Sequence, residues 1–188
     1  MFEAAGLTLT SLADLGLRFE AREDGNSFMA NAMQKAQETG LFVKENTSTL
    51  NIAILADDSG LEIDALDGAP GVDSALFMGR DTPYEVKNQA ILDQLANVPD
   101  QNRTARFICQ LVCLMPKGQI LTAQGTIEGR IAHAISGQGG FGYDPIFYHP
   151  PHGKTLAELS PDEKNAISHR GRAIQKMIGM ITDANSSN

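Results

Sequence analysis

An α/β chain is what the sequence predicts, and three observations predict it. An apolar run, Ile52 to Ala56, stops abruptly at Asp57-Asp58-Ser59-Gly60, and Leu61, Ile63 and Leu66 then alternate with Glu62 and Asp64. A second strand-like block, Arg106 to Met115, turns at Pro116-Lys117-Gly118 and returns over Gln119 to Gln124 as a hairpin. Around these, segments 27–40, 81–97 and 160–181 carry apolar residues at helical spacing.

The remaining bounds come from size and charge. A chain of 188 residues suits one good core, or two lobes sharing a sheet, and is short for two independent domains. Its 42% apolar and 20% charged content is that of an ordinary soluble globular protein. The net charge of −8 argues against a general nucleic-acid surface, so a polyanionic substrate must meet a local group of Lys and Arg. Cys109 and Cys113 lie four apart in an apolar run and read as buried thiols, with neither a disulfide framework nor zinc spacing. The sequence shows no membrane-spanning stretch and no leader pattern at its start, so a cytoplasmic location is expected.

In chain order, Phe2, Ala4, Ala5 and Leu7 read as the close of a helix stopped by Gly6, and Leu7-Thr8-Leu9 as a short strand. Residues 19–26 are polar and turn-like. Ser27 caps a helix with Phe28, Ala32 and Ala36 on its apolar side, expected to end near Gly40. The central block reads as a strand, a tight turn at Ser59-Gly60, and a second strand. Residues 67–71 form a loop, and 81–97 a helix burying Val86, Ala90, Ile91 and Leu95. Residues 126–134 extend the hairpin sheet, and Ile146-Phe147-Tyr148 is strand-like, while His149 and His152 read as surface loop residues. Ser160-Pro161-Asp162-Glu163 is a helix start, with a cap, Pro at the first position and a capping-box Glu. A final helix buries Ala173, Ile174, Met177, Ile178 and Ile181, and Asp183 to Asn188 fray.

Three stretches carry chemistry. Asp57-Asp58 closes a buried strand, where desolvating two adjacent carboxylates is costly unless a cation or donors offset it. Magnesium, a hard ion that takes oxygen ligands and is shared with substrate phosphates, is the natural cation. The same Asp-Asp-Ser-Gly is also good turn chemistry, and the motif alone leaves both readings open. Residues 136–145 combine dense glycine with Phe141 and Tyr143, which suits close backbone approach to a ligand and an aromatic cover for a flat base. Lys164, His169, Arg170 and Arg172 form the one concentrated basic cluster of the sequence. Cations at a helix start oppose the macrodipole, so anion or base recognition explains them better. Asn31 and Lys35, four apart, share a helix face that is either solvated or functional.

Taken together, Ala56-Asp57-Asp58-Ser59-Gly60-Leu61, Gly139-Gly140-Phe141-Gly142-Tyr143-Asp144-Pro145 and Ser168-His169-Arg170 resemble the inosine triphosphate pyrophosphatase family, in the family's order, from about Gly6 to Ile181. The resemblance implies an elongated, two-lobed α/β fold: one ITPase-like domain over 1–188 with a long twisted mixed sheet and a central cleft. It implies a homodimer, magnesium, and hydrolysis of ITP, dITP and XTP to the monophosphate and pyrophosphate. By residue, it makes Asp58 the catalytic and metal-holding carboxylate and Glu23 a second metal carboxylate, with Arg22 the alternative register. Lys35 becomes a catalytic lysine near the phosphates and Asn31 its neighbour one turn earlier. Ser59, Phe141, Gly142, Tyr143, Asp144, Lys164, His169 and Arg170 become nucleotide contacts.

Two departures stand against that pattern. The family begins with a strand and a Thr/Ser-Gly-Asn-x-x-Lys phosphate loop, whereas Met1 to Leu7 of this chain match the end of the helix that follows them, so a preceding segment is expected. Ala30 also stands where many relatives carry Glu. The alternatives are therefore a catalytically impaired nucleotide-binding dimer, or a pyrophosphatase for another modified nucleotide.

Overall fold

The structure, a computed structural model, describes residues 1–47 and 51–186. After a 3-10 turn at Glu3–Ala5, closed by Gly6 in the left-handed region, the elements are α1 (Phe28–Asn46), β1 (Ile54–Ile63), α2 (Tyr84–Gln94), β2 (Thr104–Leu114), β3 (Ile120–Ile131), β4 (Phe147–His149), β5 (Lys154–Thr155), α3 (Pro161–Ile167) and α4 (His169–Ser186). The strands form one sheet in the order β1-β2-β3-β4-β5. β4 pairs antiparallel with β3, Arg130 opposite Tyr148, and with β5, His149 opposite Lys154. The α/β class expected from the sequence is the class observed.

The chain divides into two compact units. The first comprises Met1–Asp58, Cys109–Gly125 and Arg172 onward; the second comprises Ser59–Ile108 and Thr126–Gly171. In the first, the alternation of β2 explains its near-continuous apolar sequence. Cys109, Leu111 and Cys113 meet Ala173, Met177 and Ile181 of α4, while Val112 faces Ala32 and Ala36 of α1. Ala173, Met177 and Ile181 recur every four residues, so one stripe of α4 is buried. Met177, fully enclosed, contributes about 2 kcal/mol by transfer from water. In the second unit, Ile91 and Leu92 of α2 and Leu95 at its C-cap join Leu61 and Ile63 of β1, Ile127 and Ile131 of β3, and Phe147 of β4 in a single core. Both cysteines are buried free thiols, as the sequence indicated.

Several local expectations are corrected. Residues 7–9 form no strand. Helix α1 passes through Gly40, because that glycine lies against the sheet: a Cβ there would sit 3.6 Å from Ile54 and 3.9 Å from Leu114. Close packing offsets the roughly 1 kcal/mol that glycine costs in a helix. The expected strand-turn-strand at Asp58 to Leu61 is one continuous strand, β1, in which Gly60 is not at positive φ and the Leu61 amide donates to Ser74 Oγ at 2.9 Å. Successive side chains therefore alternate, so Asp57 and Asp58 face opposite sides of the strand and are not desolvated side by side. In α2 the buried stripe is shifted by one residue, with Lys87 and Asn88 inside and Val86 47% exposed. The Lys87 ammonium donates to the Ala75 carbonyl at 2.8 Å and stands 4.9 Å from the centre of the Tyr84 ring, while Asn88 Nδ2 donates to the Gly142 carbonyl at 3.1 Å. These partners let polar side chains occupy an inward face.

The helix starts are as expected. Ser27 Oγ accepts from the Ala30 amide at 3.1 Å, and Ser160 with Glu163 forms a reciprocal capping box. Fraying was expected from Asp183 to Asn188, but α4 runs to Ser186; Ser187 and Asn188 lie outside the described residues. His149 is also corrected: it is buried on β4, two residues from Phe147 on the same face, with its Nδ1 2.7 Å from that of His152.

Candidate active site

In the first unit, the structure brings together four residues singled out from the sequence. Asn31 and Lys35, one turn apart on α1, both reach Asp58 on β1. Lys35 Nζ donates to Asp58 Oδ1 at 2.8 Å and to Glu23 Oε1 at 3.0 Å, and Asn31 Nδ2 donates to Asp58 Oδ2 at 3.2 Å. Asn31 Oδ1 accepts from the Gly25 amide at 2.8 Å, which fixes the loop that carries Glu23. A Cβ on Gly25 would lie 2.7 Å from that oxygen, so the loop can close on Asn31 only with glycine there. In the acidic turn Glu23 meets Lys35, whereas Arg22 is tied to Glu38 through its Nε at 2.9 Å and its amide at 3.0 Å.

The electrostatics of this group are unbalanced toward the acids. Burial raises the Asp58 carboxyl above its ordinary value, against the hydrogen bond and charge of Lys35 and the bond from Asn31; Glu23 pushes it up further. Burial alone would lower Lys35, but its hydrogen bonds to Asp58 and Glu23 outweigh that and raise it, so it stays a cation. One ammonium thus faces two carboxylates.

In the second unit, a cavity of ≈190 Å3 is lined by Ser59, Gly60 and Leu61 of β1, by Ser74, Ala75, Tyr84 and Phe107, by Phe141 to Asp144, and by His169 and Arg170. Asp144, 2% exposed, organises the glycine-rich turn by accepting from the Phe141 amide at 2.6 Å and from Lys164 Nζ. Gly140 permits this, having positive φ and no room for a Cβ, which would fall 2.1 Å from Asp144 Oδ2. Phe141 is left 64% exposed at the rim, with Lys164 Nζ 4.3 Å and the Arg170 guanidinium 5.7 Å from its ring centre. Tyr143 is buried, donates to the Ser74 carbonyl at 2.7 Å and meets Tyr84 edge-on at 5.3 Å. Burial pushes its phenol well above the ordinary value, so it remains a neutral donor. The His169 ring stacks on Phe107 at 4.9 Å. At the junction of α3 and α4 a Cβ on Gly171 would lie 2.2 Å from the Asn165 carbonyl, and Ser168 Oγ accepts from the Gly171 amide, which sets His169 and Arg170 at the helix start.

Residues 1–180 match the Ham1 family along nearly the whole chain. The chain belongs to the Ham1 family. A Ham1 protein of Staphylococcus aureus superimposes with a TM-score of 0.84 at 34% identity, over 97% of this chain and 92% of that one. The dITP/XTP pyrophosphatase of Clostridium perfringens is 43% identical over 171 residues, 91% of this chain and 83% of the relative. That of Exiguobacterium sibiricum is 44% identical over 182 residues, 97% and 88% of the two chains.

Within this Ham1 chain, two members of the basic cluster stand outside the cavity lining. Lys164 is held by Asp144 and covers Phe141 without lining the cavity, and Arg172 is exposed on α4 outside it. Tyr84, Ser74 and Phe107 line the cavity without having been singled out from the sequence. Tyr84 opens a surface helix, Ser74 lies in an unremarkable loop, and Phe107 looks like any strand aromatic; no local pattern marks them. Among the described residues no three His, Cys, Asp or Glu side chains cluster to hold a metal alone. The Glu23 and Asp58 carboxylates, sharing one lysine, nonetheless fit a hard cation, because magnesium is commonly held by one or two carboxylates and completed by water and substrate phosphates.

Proposed function

We propose that this Ham1 chain hydrolyses ITP, dITP and XTP to the corresponding monophosphate and pyrophosphate, with magnesium. The observation that carries the reading is the buried Asp58, fixed through both oxygens by Lys35 and Asn31 beside a second carboxylate. The relatives named dITP/XTP pyrophosphatase support the substrate class. Glu23 and Asp58 are the residues that would hold the metal, which when bound supplies charge neutralisation for the triphosphate.

Asp58 has the properties of a base for the attacking water: it is anchored, desolvated and has its proton affinity raised by burial. Water adds to the α-phosphorus, its proton passes to Asp58, the bond from the α-phosphorus to the bridging oxygen breaks, and pyrophosphate leaves with that electron pair. Lys35 stays protonated and offsets negative charge on the phosphates. Phe141, exposed and flanked by cations, offers a face to the base. His169 and Arg170 offer donors to the 6-oxo group of hypoxanthine or xanthine. The 6-amino group of adenine would set donor against donor there, and that mismatch discriminates strongly.

A homodimer and a cytoplasmic location belong to the same proposal; no helix of the described residues is long and apolar enough to cross a membrane. The test is pyrophosphate release from ITP, with ATP and GTP alongside, in the presence and absence of magnesium. Selective, magnesium-dependent turnover of ITP is expected, and equal turnover of ATP would overturn the reading.

A further inference from the structure

The second unit holds another cavity, of ≈530 Å3, whose polar lining comes from Arg103, Arg130, His133, Tyr148 and Asp100. We propose that it is a binding site for a phosphate-type oxyanion, separate from the aromatic pocket. Its residues take no part in the reaction proposed above, so the two readings stand or fall separately.

Arg103 is the anchor. It is 2% exposed, yet its guanidinium bonds only to backbone: Nη1 to the Leu95 carbonyl at 2.6 Å, Nη2 to Ala132 at 2.7 Å and Nε to Ile131 at 2.9 Å. Those bonds tie the end of α2 to the end of β3, which is a structural role, but they bring no carboxylate into contact with the guanidinium and leave N–H donors to spare. Burial pulls its guanidinium below the ordinary arginine value, with Asp100 acting on it only at longer range, as expected for a buried cation short of counter-charge. Arg130 and Tyr148 stand opposite each other on β3 and β4, so their side chains share one face of the sheet. Among the described residues neither side chain forms a hydrogen bond or a close ion pair, and Arg130 reaches Asp100 only at longer range. Asp100, the one acid of the lining, is in contact with His133 and feels Arg103 and Arg130 at longer range.

Two guanidinium groups, an imidazole and a phenol around one cavity, against a single occupied carboxylate, make a donor-rich and cationic site on a chain whose net charge is −8. The planar guanidinium fork matches a phosphate oxygen pair. The acidic remainder of the protein disfavours a long polyanion, so the fit is to a small one.

The test is a titration of the 188-residue chain followed by amide and arginine side-chain NMR, with inorganic phosphate, pyrophosphate and inosine monophosphate as separate probes. Arg130→Gln and His133→Gln, at exposed positions, are compared with wild type, and thermal unfolding confirms that both fold. Shifts at Arg130, Ala132, His133 and Tyr148 with a dissociation constant of about 1 mM or tighter, weakened about tenfold by Arg130→Gln while ITP turnover is unchanged, are expected. Tighter binding of the monoester would identify a nucleotide phosphate as the occupant, and tighter binding of the inorganic ions a free one; each supports the site. No shift at these residues with any probe, or binding that Arg130→Gln leaves unaltered, would overturn it.

Discussion

Asp58→Asn separates chemistry from stability. The change keeps the size of the side chain and leaves Lys35 bonded to Glu23 at 3.0 Å, but removes the group proposed as base and as a ligand for the metal. Loss of a general base alone costs about 10²–10⁴ in rate, and loss of a metal ligand adds to it. Stability moves differently. Because burial raises the Asp58 carboxyl above its unfolded value, the stability it contributes is present below the unfolded pKa and is lost as pH rises through the folded one. At neutral pH the native state therefore carries a charged group it disfavours, relieved in part by Lys35. The amide removes that charge while losing the ion pair, so the unfolding free energy should stay within about 1 kcal/mol of wild type or rise, a melting shift of roughly 2–4 °C at most. The gap between the two proteins should change sign or narrow as the solution is acidified. Pyrophosphate release and thermal unfolding across pH, run on the same preparations, read both quantities. Undiminished turnover of ITP, or a fall of several kcal/mol at neutral pH, would show that Asp58 is held as a structural ion pair and not as a base.

Other perturbations follow from the same contacts. Lys35→Gln should lower turnover about 10²–10³-fold and move the acid limb of the pH–rate profile to higher pH, since Asp58 loses the cation that holds it down; an unmoved limb would count against their coupling. Phe141→Ala should raise KM for ITP about tenfold with a smaller change in kcat, as base–aromatic stacking contributes about 1–3 kcal/mol, and steady-state kinetics decide. Gly25→Ala places a Cβ 2.7 Å from Asn31 Oδ1 and should reduce magnesium affinity and turnover together while the melting temperature hardly changes, which magnesium titration of activity would check.

How much of this was legible depended on whether the deciding interaction was local. Ser27 and the Ser160-Glu163 box announce their helices because a cap is settled within one turn of sequence. The spacing of Asn31 and Lys35 put both on one face, and α1 does present both to Asp58. Gly40 misled because its reason is tertiary: it lets α1 approach Ile54 and Leu114. Ser59-Gly60 has the composition of a turn, yet the Leu61 amide finds Ser74, thirteen residues away, and the strand continues. Lys87 was invisible as a buried residue because its partner, the Ala75 carbonyl, lies in a loop with no pattern of its own. Tyr84 and Phe107 reach the cavity for the same kind of reason, through packing between distant segments.

The unbroken course of β1 through Asp57, Asp58 and Ser59 bears on which length changes this chain can survive. A strand counts in twos, so removing one residue just after the doublet, with Leu61 and Ile63 held in the core, would turn Asp58 to the far side and bring Asp57 into its place before Lys35. The doubled aspartate thus acts as a spare in register: in either frame a carboxylate meets the lysine, and a deletion that would silence a strand bearing one acid leaves this one able to recover by further substitution.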